Sequence, residues 1–147
     1  MKIQQGKYII SDEKDLMDIK IIHQYLSEES YWCAGIPIEV VKKSIDGAHC
    51  FGIFHNENQI GFARVITDHA TFAYLADVFV LSGHRGKGLS KWLIKTIVDN
   101  PELQGLRRWI LATRDAHALY EQFGFTSLAK PDRFMELHNP NVYQKNG

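Results

Sequence analysis

The spacing of apolar positions changes several times along the chain, and each change marks an element. KYIIS, over 7–11, reads as a short strand. Leu16, Ile19, Ile22 and Leu26 then recur at helical spacing, and Ser11 or Asp12 can cap a helix running to about residue 26. SEESYWCAGIP is a loop. Pro37 suits a first helical turn, so IPIEVVKKSI reads as a second, short helix that Asp46-Gly47 stops. From there the period falls to two. CFGIFH, over 50–55, alternates, Asn56-Glu57-Asn58 turns, and 59–68 returns antiparallel before His69-Ala70 turns into a strand over 71–81. A glycine-rich stretch leads into a helix over 88–99, closed by Asn100-Pro101. RRWILAT, over 107–113, has the apolar character of a buried strand, and 115–123 is helical with Gly124 as its C′ residue. FTSLA and RFMELH read as two closing strands, and 141–147 as a fraying end.

This order predicts an α+β fold: a mixed, mostly antiparallel central sheet with helices on both faces. One parallel pair is expected where 74–81 crosses over, through a helix, to 107–113. The length of 147 residues suits a single domain over 1–147. A composition that is 45% hydrophobic and 23% charged argues against disorder. Lys+Arg and Asp+Glu both number 17, so no global basic field recruits nucleic acid or anionic lipid. No apolar run approaches membrane-span length, and the N-terminus lacks a signal-peptide core, so neither a nucleic-acid nor a membrane partner is expected. Cys33 and Cys50 form neither a disulfide framework nor a zinc set, and the seven histidines show no metal-ligand spacing. The expectation is a cytoplasmic protein with no metal.

Charge is unevenly placed all the same. Between 78 and 98 there is no acid, while Arg85, Lys87, Lys91 and Lys95 are all present. This patch contains GHRGKGLS, a glycine turn between a strand and a helix. Such a turn gathers unpaired backbone N–H groups at the positive end of a helix and lets an anion approach closely. A Walker A loop would need Lys where Leu89 stands, and a dinucleotide fingerprint would need a third glycine and the first strand of a βαβ unit. RGKGLS does fit R/Q-x-x-G-x-G/A at Arg85 and Gly88, departing at Ser90, which is small enough to keep the backbone accessible. A plain connector between strand and helix is the alternative.

That pattern is the pyrophosphate motif of the GNAT N-acetyltransferases. Downstream, ALYEQFGF over 118–125 resembles the LYEKxGF segment of the same family, with matching order and spacing of the elements between them. The meander and the paired early helices extend the resemblance over nearly the whole chain. It implies a GNAT-like fold and a site for acetyl-CoA, or another acyl-CoA, as co-substrate. Backbone groups of Val78, Phe79 and Val80 would bind the pantetheine arm in a gap where two strands splay. Arg85, Gly86, Lys87, Gly88, Leu89 and Ser90 would hold the diphosphate. Thr113 stands where many members carry Asn, which leaves an amide contact to the cofactor open while keeping a helix-capping hydroxyl.

The implied reaction is direct attack of a primary amine on a thioester. An alkylamine of pKa about 10.4 must shed a proton, the oxyanion needs a donor near Val80, and the thiolate must be protonated. Tyr120 is the candidate general acid. Asp77 is a weak candidate for a base acting through water, against the alternative of a paired strand carboxylate. Tyr31 and Trp32 are candidates to wall the acceptor site or simply to pack. The acceptor would be a small-molecule or peptide amine, and a homodimer is the candidate assembly. A non-catalytic acyl-CoA-binding sensor or scaffold is the alternative function.

Overall fold

The computed structural model describes residues 1–144. Six strands lie in sequence order: β1 (Lys2–Gln5), β2 (Tyr8–Ser11), β3 (His49–His55), β4 (Asn58–Thr67), β5 (Phe72–Val80) and β6 (Arg108–Ile110). Pairing is antiparallel from β1 to β5, and β5 and β6 pair in parallel, as the crossover required. The helices are α1 (Ile19–Gln24), α2 (Ile38–Asp46), α3 (Leu89–Val98) and α4 (His117–Glu121).

Alternation along β3 divides the core in two. Phe51 and Ile53 face Leu93, Ile94 and Ile97 of α3 and Tyr120 of α4, whereas Cys50 faces Ile22 of α1 and Val41 and Ile45 of α2. Helices therefore cover both faces, and β3 is buried along nearly its whole length. In α3 the buried positions Leu89, Leu93, Ile94 and Ile97 form one stripe. The side chain of Asn100 then accepts from the Glu102 N–H and Pro101 follows, so the helix cannot continue.

Strand β5 changes phase midway. Ala73 and Leu75 face the α3 side, and so do Val78 and Val80, while Phe79 joins the α1–α2 core. The register explains this. Phe62 opposes Phe79 and Arg64 opposes Ala76, so three steps on β5 match two on β4. The extra residue is a β-bulge, and within it Asp77 takes a left-handed φ of 55°. Phe79 and Val80 are 4% and 5% exposed. At about 1.5–3 kcal/mol for each large apolar side chain buried, the two cores together hold this phase in place.

Several boundaries differ from expectation. A strand at 2–5 pairs with 8–11 around Gly6; KIQQ is exposed at all four positions and carries no apolar signal. Helix α1 is capped by Asp18, whose carboxylate accepts from the Lys20 and Ile21 N–H groups, not by Ser11 or Asp12. Ser11 instead accepts from the Glu13 N–H in a local turn, and a π-helical turn over Tyr25–Glu29 extends α1. Pro37 is the N-cap of α2, one position before the helix. The 107–113 strand pairs only over Arg108–Ile110, and neither FTSLA nor RFMELH is a strand, for lack of any edge paired with them. Of the end expected to fray, Tyr143 packs against the α1–α2 core, and 145–147 lie outside the described residues.

Candidate active site

The pairing of β5 with β6 ends at Tyr74 and Ile110. Beyond it β5 bulges while the other chain runs on as Leu111-Ala112-Thr113, and a cleft of about 330 Å³ opens between them. Tyr31, Trp32, Asp77, Val78, Thr113 and Tyr120 are among its walls. Past the bulge the chain reaches the glycine turn. Gly86 and Gly88 have φ of 78° and 76°, and a Cβ at either would meet nothing within 4 Å. Conformation, not crowding, requires glycine there, and the space above is open to a ligand. Gly88 caps α3 without any side-chain bond, which leaves the first N–H groups of a ten-residue helix free of a cap. A hollow of about 180 Å³ adjoins this turn, lined by Val80, Arg85, Gly86, Gly88 and Ser90 among others.

The cations of the turn play different parts. Arg85 Nε donates to the Val80 carbonyl at 2.9 Å, and its Nη2 lies 3.4 Å from the Tyr25 hydroxyl. Tyr25 in turn stacks on Phe79 at 4.0 Å between ring centroids. The Arg85 side chain thus ties the turn to the end of β5. Lys87 sits at the surface, with Nζ 3.5 Å from the Tyr8 hydroxyl.

Tyr120 is 9% exposed, and burial, reinforced by Tyr31, pushes its phenol up to about 12. Among the described residues its hydroxyl has no hydrogen-bond partner, yet no buried side-chain oxygen or nitrogen there is left unpartnered. The hydroxyl is therefore the part of Tyr120 that reaches the open cleft. Asp77 is fully engaged: Oδ2 accepts from Arg64 Nε and Oδ1 from Trp32 Nε1, both at 2.8 Å. The Tyr31 hydroxyl accepts from the Arg114 N–H at 3.0 Å, and the Arg114 guanidinium lies 3.9 Å over the Tyr31 ring. Thr113 Oγ1 accepts from the Ala116 N–H at 3.0 Å, which fixes the turn into α4.

A sequence model of the acetyltransferase (GNAT) family matches residues 19–125. The chain belongs to the GNAT acetyltransferase family. A Xanthomonas campestris pv. campestris protein assigned to the same family has a crystal structure that superposes with a TM-score of 0.93 at 46% identity, covering 97% of this chain and all of that one. A Gibberella zeae protein assigned as an acetyltransferase is 30% identical over 79% of this chain and 77% of its own length. The fold also matches a GNAT acetyltransferase from Elizabethkingia anophelis with acetyl-CoA bound, at a TM-score of 0.62 and 13% identity, over 83% of this chain and 78% of that one.

Within this GNAT fold, Tyr31, Trp32, Val78, Thr113 and Tyr120 share the cleft, and Val80 and 85–90 line or flank the hollow. The Phe79 side chain points away, into the α1–α2 core, so only its backbone is left to face the gap. Three residues were not anticipated. Arg64 carried a signal, because an arginine inside the apolar run IGFARVI needs a carboxylate on a neighbouring strand. Tyr25 and Arg114 had none, since their partners are 60 and 83 residues away in sequence. Asp68 and His69 lie at the far end of the β4–β5 hairpin. There Asp68 accepts from the Ala70, Thr71 and Phe72 N–H groups and the Thr71 hydroxyl, which hold its carboxyl far below the usual range. One histidine joins two carboxylates: ligand atoms of Asp12, His49 and Glu102 lie within 4.8 Å of one another. His49 there bonds Asp12 and His69, and Asp12 also bonds the α-amino group, so the polar groups satisfy each other.

Proposed function

We propose that the protein transfers an acetyl group from acetyl-CoA to a primary amine by direct attack, within a single catalytic domain over 1–147. One observation carries this reading. The opened β5–β6 pair leads at one end to an acid-free glycine turn and holds, in its walls, a protonated phenol with a free hydroxyl. The diphosphate of the co-substrate would take the N–H groups of 86–90 and the field of α3, with Lys87 supplying charge at the rim. Its arm would lie along the backbone of 78–80, where the bulge frees groups from ladder pairing. The Val80 N–H would donate to the developing oxyanion. Tyr120 would donate its proton to the departing thiolate, and a phenol held near 12 keeps that proton at any physiological pH. Asp77, spent on Arg64 and Trp32, shapes the bulge and does not serve as a base; water takes the ammonium proton. Tyr31 and Trp32, 48% and 41% exposed, would border the small-molecule or peptide acceptor. Among the described residues no helix is long and apolar enough to cross a membrane.

Both carboxylates that line the cleft are paired, Asp77 with Arg64 and Trp32 and Asp115 with Arg114 at 3.4 Å, which favours a second reading, an acyl-CoA-binding sensor or scaffold without turnover. Thiol release from acetyl-CoA, followed across a panel of primary amines, separates the two. Amine-dependent release supports transfer. Binding of CoA with no release under any amine supports the sensor.

A further inference from the structure

Each charge at the β5–β6 cleft is matched by its opposite. Asp77 pairs with Arg64, which stands behind the wall on β4, and Asp115 pairs with Arg114 at the exposed mouth. Among the described residues no other charged group lines the cleft. Asp77 and Arg64 are 9% and 17% exposed, so an entering ion would have to break a largely buried pair to gain a partner. A second ammonium on the acceptor would find no free carboxylate here, and an anionic group would find no free cation.

Much of the remaining wall is aromatic. Tyr31, Trp32, Tyr74 and Tyr120 all line the cleft. Tyr31 and Trp32 meet edge to face, with ring centroids 5.0 Å apart and planes at 86°, and so make a right-angled corner. Their polar tips are taken: the Tyr31 hydroxyl accepts from the Arg114 N–H, and the Trp32 indole N–H donates to Asp77. Both rings nonetheless stay half-exposed. A core plug would be buried, and a hydrogen-bonding rim would keep its tips free. What this pair offers is ring surface, set at an angle that a third ring meets by stacking on one member and turning its edge to the other. The same bonds hold both rings in place before a ligand arrives, which reduces the entropy lost on binding. At about 330 Å³ the cleft is near the lower end of small-ligand sites, about 300–1,000 Å³, and the thioester end of the co-substrate must share it.

We propose that the acceptor is a small arylalkylamine: one primary amine on a short chain, one aromatic ring, and no other charge. This rests on the transfer reading above and names its substrate class. The ring enters the corner of Tyr31 and Trp32, and the amine reaches the thioester beside Val80 and Tyr120. The nitrogen forms the new C–N bond as the C–S bond breaks. The thiolate takes the Tyr120 proton, the ammonium proton goes to water, and solvent returns a proton to the phenolate. A polyamine would bring further ammonium groups that nothing in the cleft matches.

Thiol release from acetyl-CoA, and calorimetric titration of the CoA-loaded protein, test this with phenethylamine, propylamine and spermidine. Burial of the phenyl ring should make both kcat/KM and the binding constant about thirtyfold higher for phenethylamine than for propylamine. Spermidine should fall about tenfold or more below phenethylamine. Tyr31→Ala and Trp32→Ala should each cut the phenethylamine-to-propylamine ratio about tenfold, and Tyr31→Phe, which keeps the ring, should hold it. Both positions are half-exposed, so the variants should keep the wild-type far-UV circular dichroism. A general loosening of the cleft would lower both amines alike; an unchanged ratio in both alanine variants therefore overturns the proposal. Equal or better use of propylamine or spermidine overturns it as well, and so does failure of all three amines to bind. Binding of phenethylamine at the expected ratio with no thiol release would keep the ligand class and sink the transfer reading alone.

Discussion

The two ends of the β5–β6 pair make opposite structures from the same two chain segments. At the lower end, Phe72, Ala73 and Tyr74 pair with Arg108, Trp109 and Ile110 in regular register. At the upper end, 75–80 and 111–113 do not pair with each other, and a cleft lies between them. Apolar content does not separate the ends, because Leu75, Val80 and Leu111 are as suited to a sheet as Ala73 and Ile110. What differs is one extra residue. Asp77, at positive φ and bound to Arg64 and Trp32, bends β5 toward β4 and away from its parallel neighbour. A paired end stabilises the sheet. An unpaired end leaves backbone N–H and C=O groups free for a ligand, and only a strained residue keeps it so.

The sharpest way to break the open end lies just past it. Gly88→Asp would force a side chain onto a backbone with φ of 76° and put a negative charge over the free N–H groups. Affinity for CoA, read by calorimetric titration, should fall about a thousandfold, roughly 4 kcal/mol, with the fold retained. Asp77→Ala tests the brace. It leaves Arg64 unpaired with a side chain only 17% exposed, so stability should drop by about 3 kcal/mol in denaturant titration. The rate should keep its pH profile, because Asp77 carries no proton in the reaction; a lost acidic limb would make it the base after all.

Tyr120→Phe keeps the ring and removes the donor. It should lower kcat about a hundredfold and leave acetyl-CoA affinity nearly intact, as single-turnover kinetics would show. The same phenol bears on stability. Its folded value, about 12, lies above the ordinary value of 10.0, so the folded state holds the proton longer. Its contribution is full below pH 10 and is lost as pH rises toward 12, and the Phe variant should not show that loss in alkaline thermal melts. The smallest effect is expected at Thr113→Val. It removes one bond to the Ala116 N–H and should cost about 1 kcal/mol with little change in CoA affinity; a large fall in affinity would show that the hydroxyl touches the cofactor.

The paired end and the glycine turn were legible in the sequence, and the opening mechanism was not. RGKGLS and ALYEQFGF announce themselves because glycine at positive φ and an apolar helical stripe leave local marks. The antiparallel meander was equally clear from its period of two, although 49–55 is buried on both faces. The bulge at Asp77 leaves no such mark, since LADVFV sits inside one apolar-rich strand run and the extra residue shows only against the neighbouring strand's register. Asp18 went unrecognised as a cap because Leu16, which lies 41% exposed in a 3-10 turn, falls at helical spacing with Ile19. RFMELH has the pattern of a strand, but a pattern does not supply a partner edge, and none pairs with it among the described residues.

Viewed as a problem of mutational access, the bulge protects the cleft. Any point substitution at Asp77 changes a side chain and leaves the residue count of β5 untouched. Phe79 and Val80 stay committed to opposite cores, and the strand cannot slide back into step with β6. Only deletion of one residue between Leu75 and Val78 would restore simple alternation. That deletion would keep Leu75, Val78 and Val80 on the α3 side and Phe79 in the α1–α2 core on its stack with Tyr25, and nothing would be left over to bulge. The opening is therefore written in the length of a strand, which single-base substitutions do not alter.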